Sequence, residues 1–408
     1  MIRIKLNITY NNKMTVTLIP KVEEFQATMQ HINGLAFDRT TGSVGETEAM
    51  LYIRDVLNKN NISSRLEYFD YIGLKKIIMR MAYAVIITYV VLFRLIVLLA
   101  LYFCIKYLSP KARRYTFLSK ESSKNLIAEF HSKTKEKKPV AILTAHYDTF
   151  SANLPYRLQG ILFFLFKIII IPYLCFSLSL SFWILFGTTS INFQEITNLI
   201  FLSSISNILI TLLIALMLYS TKTSLGSIDN ASGVSILIEL AKYLNKNPLK
   251  NMNVIIIFTG AEEWGLIGSK RYLKRHISYL QKKYDLDKSF NINYDMIGSY
   301  IGLIQQKGIF SKKRINKSLN MYIEEAAEKL DIKYVKESHF TNPKTDHRRF
   351  LKFARKTKSR FQVACFHSAK DSKYIHSPKD TPDKCNSENL NGVLAISIEV
   401  LNQIDSEL

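Results

Sequence analysis

The sequence predicts an α/β fold interrupted by apolar insertions, and three observations support that reading. Short apolar runs of strand type, Val140 to Thr144, Asn253 to Thr259 and Asn291 to Asp295, each run into or end on a polar, acid-bearing segment. Strands of an α/β sheet deliver polar groups to their ends in this way. An amphipathic stretch, Val234 to Leu244, follows Asp229-Asn230-Ala231-Ser232-Gly233 and reads as a helix that starts beside an acid. Three long stretches, Met81 to Ile105, Ile161 to Phe186 and Thr197 to Tyr219, are too apolar to share the solvated surface of the same domain.

No internal repeat or Gly/Ser linker divides the chain, so one interrupted domain is expected. Residues 1–76, 109–150 and 224–408 would form it, with a membrane-associated segment at 77–108 and a hairpin insert at 151–223. A chain of 408 residues that is 48% hydrophobic and 12% aromatic can bury a thick core and is not a disordered tail. The net charge of +22 is spread over short clusters such as Lys133 to Lys138, Lys312 to Arg314 and Arg355 to Arg360. These lack the aromatic interleaving and module signatures of nucleic-acid binders, so no nucleic-acid partner is expected, whereas basic faces suit anionic lipid. The four cysteines, Cys104, Cys175, Cys365 and Cys385, show no paired spacing and are expected as reduced thiols. The start, Met-Ile-Arg-Ile-Lys, has no apolar signal core, so any membrane insertion is expected to use internal segments.

Thr197 to Tyr219 runs about 23 residues without a formal charge, enough to cross roughly 30 Å of hydrocarbon. Ile168 to Phe186 reaches about 19 uncharged residues, with Pro172 as a site for a kink. The connection between them carries Glu195 and no Lys or Arg, while Arg157 and Lys222 flank the pair. The charge bias therefore places the hairpin tip away from the cytoplasm and the domain on the cytoplasmic side of an integral membrane protein of the cell membrane. Two crossings also return residues 146 and 229 to the same side. The stretch Met81 to Ile105 carries Arg94 at its middle, at a cost of about 2.5–3.5 kcal/mol for a spanning helix. It is expected to lie in the interface or turn back rather than cross once.

Chemistry concentrates in five short segments. His146 and Asp148 lie two apart after a strand-like run and so share a face. Asp229 stands near a helix start, where an ordinary acidic cap is the bland alternative. Glu262 and Glu263 follow Val-Ile-Ile-Ile-Phe-Thr-Gly-Ala and precede Trp264, an apolar setting in which neighbouring carboxylates can take different jobs. Asp295 closes a third strand, and His376 comes from a loop ahead of Asp380-Thr381. Together they offer two histidines and three carboxylates as ligands, with one Glu left for acid/base work. Mixed ligation with an open position suits catalytic zinc, and a shared aspartate suits a pair of ions about 3.5 Å apart.

With these residues in place, the chain resembles the di-zinc aminopeptidases of clan MH, metallopeptidase family twenty-eight, over about residues 20–75, 122–150, 224–300 and 340–402. Gly34 to Leu57, with Arg39, Gly42 and Gly45, looks like that family's opening loop and helix, and Thr345-Asp346-His347 through Phe350 is similar to its S-D-H-x-x-F stretch near the substrate. The resemblance implies a three-layer αβα sandwich with a mixed central sheet, interrupted here by the transmembrane insert. It implies one zinc ion held by His146, Asp229 and Asp295 and a second by Asp229, Glu263 and His376, ligands that also accept manganese or cobalt. Glu262 would be the proton acceptor, Asp148 would orient His146, and Asp346, His347 and Tyr374 would lie at the substrate. Peptide substrates presented near the bilayer, hydrolysed from the amino terminus, are the expected partners, together with membrane lipid. Alternatives of another class are a scaffold built on an inactive peptidase fold, and a single-zinc glutaminyl cyclase or amidohydrolase. Two departures stand out. Ile375 occupies a position where some members carry a Tyr before the last His, and residues 151–223 replace a loop between the first ligand and the bridging Asp.

Overall fold

The computed structural model describes residues 22–73, 121–132, 137–169, 193–218, 222–308, 313–339 and 343–408, with a few further positions between 86 and 179. Most of the stretch Met81 to Ile105 and the distal half of Ile161 to Phe186 lie outside these residues. The three apolar runs are strands β3 (Val140–His146), β4 (Asn253–Thr259) and β5 (Phe290–Tyr294), each buried along its whole length. Such continuous burial is what parallel strands covered on both faces require. Side chains alternate between two cores. Ala141, Leu143, Ala145, Val254, Ile256 and Phe258 enter the larger one, and Val140, Ile142, Ile255 and Ile257 the smaller.

The strands are β1 (Ser64–Tyr71), β2 (Glu121–Phe130), β3 to β5, β6 (Gly302–Lys307), β7 (Lys313–Arg314), β8 (Val335–His339) and β9 (Gln362–Phe366). They form a nine-stranded sheet in the order β1-β2-β4-β3-β5-β9-β6-β7, with β8 on β6. The centre, β4-β3-β5-β9, is parallel. The β1-β2 flank is antiparallel, and β6 runs antiparallel to β9, so the sheet is mixed. Helices α1 (Val22–Gly34), α2 (Val44–Lys59), α5 (Ser232–Lys246), α7 (Lys317–Lys329) and α9 (Ser387–Glu407) cover the larger core through residues such as Ile32, Ile53, Leu240, Ile323 and Val400. Helices α6 (Ile267–Lys283) and α8 (His347–Thr357) close the other face with Tyr272, Leu273, Phe350 and Phe353. The result is an αβα sandwich.

Arg39 ties the amino-terminal part to the site. Its side chain is fully buried and donates to the carbonyls of Tyr147 at 2.8 Å, Leu225 at 2.8 Å and Gly226 at 2.8 Å. It therefore joins the chain just before the hairpin insert to the chain just after it. Gly226 has φ +60°, and a Cβ there would meet Thr149 Cγ2 at 2.2 Å, so only glycine lets the two segments close on Arg39.

The insert departs as α3 (Tyr156–Ile168) and returns as α4 (Phe193–Leu218). Its two ends are tied together: Asn153 N–H donates to the Met217 carbonyl at 2.9 Å and Ser224 N–H to Ser151 Oγ at 2.9 Å. Phe163, Ile210, Ile214 and Met217 pack near the domain, but Ile161, Phe164, Phe201, Leu202, Leu209 and Leu216 are each more than half exposed. Two helices, Tyr156–Tyr173 and Gln194–Leu218, are long and apolar enough to cross a membrane. Soluble core helices bury such faces, whereas these display them.

Candidate metal centre

Parallel register sets the site. His146, the last residue of β3, stands opposite Thr259, the last of β4, and Asp295 follows β5 directly. After β4 the chain turns through Gly260 and Ala261, the latter at φ 52°, so that Glu262 and Glu263 fold back over the strand ends. Met296 at φ 67° and His376 at φ 58° repeat the pattern. Left-handed backbone at non-glycine residues is uncommon and gathers where a site dictates the chain's path.

Asp229 arrives from a buried turn before α5 whose Asp229–Asn230 peptide is cis. Two buried side chains hold that turn. Asp380 accepts from Ile228 N–H at 2.6 Å and Asp229 N–H at 3.2 Å. Asn230 donates to the Tyr294 carbonyl at 2.8 Å, and its Oδ1 accepts from Gly233 N–H at 3.1 Å and Met296 N–H at 3.2 Å. A Cβ on Gly233 would sit 2.4 Å from the Tyr294 carbonyl, which accounts for the glycine that closes the segment 229–233.

Asp229 then points one oxygen each way. Its Oδ1 lies 3.0 Å from His146 Nε2, which is 3.9 Å from Asp295 Oδ1. Its Oδ2 lies 3.4 Å from His376 Nε2, which is 3.2 Å from Glu263 Oε2. Two ligands on a tetrahedral zinc, each about 2.0–2.1 Å from the ion, lie roughly 3.3 Å apart. Polar atoms thus gather on both sides of Asp229, and His146, Asp229 and Glu263 form a compact group that could hold a metal ion.

The electrostatics also fit cations. Glu262 Oε1 and Glu263 Oε1 are buried without a hydrogen-bond partner among the described residues. Burial pushes the Glu262 and Asp295 carboxyls well above the usual range, a shift that His146 opposes and the neighbouring acids reinforce. Burial works against the His376 imidazolium, but Glu263 and Asp229 push it up to about 10, and Glu262, Asp148 and Asp229 likewise raise His146 well above its ordinary value. Four clustered acids with two histidines leave buried negative charge that only protons or metal ions can neutralise.

The other expected site residues take different places. The His146 ring Nδ1 sits 3.0 Å from the main-chain carbonyl of Asp148, while the Asp148 carboxylate is 3.6 Å away. That carboxylate instead accepts from the N–H groups of Glu262 at 3.1 Å and Glu263 at 3.2 Å and from Thr41 Oγ1 at 2.8 Å. Asp148 thus fixes the turn that carries Glu262 and Glu263 through their backbone N–H groups. Asp346 is 1% exposed and accepts from Thr259 Oγ1 and Ser269 Oγ, holding α8 against the end of β4. His347 is buried at the start of α8 with Nδ1 against Thr345 Oγ1. Tyr374 packs against the larger core beneath Lys373 and Lys384. Sequence reasoning missed Gln159, Asn230 and Asp380 as supports. The last two lie inside quoted segments, but Gln159 belongs to the insert and carried no local signal.

This αβα sandwich thus brings His and carboxylate side chains together at its strand ends. Residues 217–401 match the model described as Peptidase family M28. It is similar to Aminopeptidase YwaD of Bacillus subtilis (strain 168), 36% identical over 80 residues, a match that spans 20% of this chain and 16% of that protein's length. Among solved structures it is similar to BSAP, a zinc aminopeptidase from Bacillus subtilis, with a TM-score of 0.53 and 14% identity over 93% of this chain and 94% of that one. A glutaminyl cyclase from an Acidobacteriales bacterium gives a TM-score of 0.55 at 16% identity, covering 98% of this chain and 100% of that one. At such identities these two show the fold.

Proposed function

We propose that the protein is a membrane-anchored, di-zinc aminopeptidase that removes amino-terminal residues from peptides. The observation that carries this reading is the division of Asp229, with one oxygen toward His146 and Asp295 and the other toward His376 and Glu263. His146, Asp229 and Asp295 would hold one ion and Asp229, Glu263 and His376 the other; manganese or cobalt suits the same set. When bound, such ions polarise the scissile carbonyl and acidify water. Glu262, buried beside them with one unpaired oxygen, would take the proton of the attacking water and pass it to the leaving amine. Asp148 keeps Glu262 and Glu263 at their posts through their backbone N–H groups.

Insertion of the hairpin into lipid is supported by the exposed apolar faces of α3 and α4. With the charge bias of its flanks, this supports a domain on the cytoplasmic side with the site near the bilayer surface, a setting that would favour peptides presented there. At residues 74–120 the chain leaves at the end of β1 and returns at the start of β2, where Tyr71 and Glu121 are paired neighbours.

Hydrolysis of a panel of aminoacyl chromogenic amides by detergent-purified protein, with and without chelator, tests the reading. Activity that chelation abolishes and zinc restores is the expected result. One tightly bound zinc ion with no turnover of any amide, alongside cyclisation of glutaminyl peptides, would replace it with the cyclase reading.

A further inference from the structure

Residue Gln159 lies on the first helix of the hairpin insert, yet its side chain is 2% exposed and reaches back into the domain. Its Nε2 donates to the Leu154 carbonyl at 2.7 Å. That bond fixes which end of the carboxamide faces inward, and Oε1 lies 2.8 Å from His376 Nδ1. An acceptor at Nδ1 keeps a proton there and leaves Nε2 as the nitrogen aimed at Asp229 and Glu263. The root of the insert and the residue before it grip His376 elsewhere as well. Ala152 N–H donates to the His376 carbonyl at 3.0 Å, and the rings of Phe150 and Tyr156 meet the imidazole edge-on at 4.9 and 5.2 Å. His376 needs such holding, since it stands on an irregular loop at φ 58° rather than at a strand end.

Building on the two-ion reading above, we infer that the membrane insert forms part of the metal centre, with Gln159 as the positioning residue that fixes the tautomer and ring orientation of His376 for the second ion. Ligating histidines commonly donate their other ring N–H to an oxygen acceptor, and loss of that acceptor typically costs 10–100-fold in metal affinity. Here the acceptor comes from a helix that leaves the domain, so occupancy of one ion depends on how the hairpin is seated. The ion held by His146 and Asp295 has no ligand on that loop and does not share this dependence.

The test uses the full chain in detergent, with zinc content by elemental analysis and zinc affinity by competition with a chromophoric chelator. Gln159→Leu and Gln159→Asn, which remove or withdraw the acceptor, are expected to keep one ion at wild-type affinity and weaken the other about 10–100-fold. Gln159→Glu, which keeps an acceptor oxygen at the same reach but loses the donor to the Leu154 carbonyl, should bind the second ion more tightly than the Leu variant does, and Leu158→Ala on the exposed side of the same turn should be silent. Two ions held equally well in the Leu and Asn variants overturn the inference. So does a Glu variant as weak as the Leu variant, because the role would then be packing; if Gln159→Leu does not fold, Gln159→Asn decides alone. A wild type that binds two ions, loses one in Gln159→Asn and hydrolyses no amide sustains the inference while removing the aminopeptidase reading.

Discussion

His146 and His376 stand on either side of Asp229, at 3.0 and 3.4 Å, but the chain holds them by different means. His146 ends a strand buried over its full length and paired on both edges, so its position is set by the sheet. His376 follows a turn of 3-10 helix, in left-handed backbone, and is steadied by residues 150–159 at the root of the insert. One histidine is placed by the geometry of parallel strands, the other by a contact between an irregular loop and an inserted helix. The comparison teaches that the two halves of the centre can differ in robustness while sharing a carboxylate.

The sharpest break in this comparison is Asp229→Asn, which removes the charge common to both halves. Both ions should be lost and amide hydrolysis should fall below detection, measured as zinc content and initial rate. Glu262→Gln, by contrast, is expected to leave two ions bound and lower kcat by about 10²–10⁴-fold. Retained turnover in that variant with zinc present would remove Glu262 from the proton-transfer role.

Acidity should separate binding from chemistry. Without metal, His376 is raised to about 10 and His146 is raised as well, so both carry protons at neutral pH that zinc must displace. Zinc affinity should therefore weaken as pH falls, by about tenfold per pH unit for each proton released, and chelator competition between pH 6 and 8 reads the slope directly. A flat profile would mean that the histidines do not ligate.

A different effect is expected on stability. Arg39→Met leaves the buried carbonyls of Tyr147, Leu225 and Gly226 without their donor, at about 1–3 kcal/mol for each group left unsatisfied. A lower melting temperature with both ions still bound at saturating zinc is expected. Because Arg39 clamps the chain on both sides of the insert, an unaltered melt would show that the insert's roots are held by other contacts.

Much of this molecule was legible in local sequence. Runs such as Val-Ile-Ile-Ile-Phe-Thr before Gly260 can hardly be anything but buried strands, and an acid or histidine at the end of a parallel strand has one place to go. That logic located His146, Glu262, Glu263 and Asp295 without a structure. The same chain gave no hint of Gln159, which is separated from His376 by 217 residues and lies in an amphipathic first turn of an apolar helix. Nor could it tell that Asp148 would serve the backbone of Glu262 and Glu263, or that Asp346 would be sealed under Ser269 and Thr259. Strand identity and strand-end chemistry follow from periodicity, which is a property of neighbouring residues. Which oxygen meets which nitrogen depends on how distant elements pack, and only the folded chain decides that.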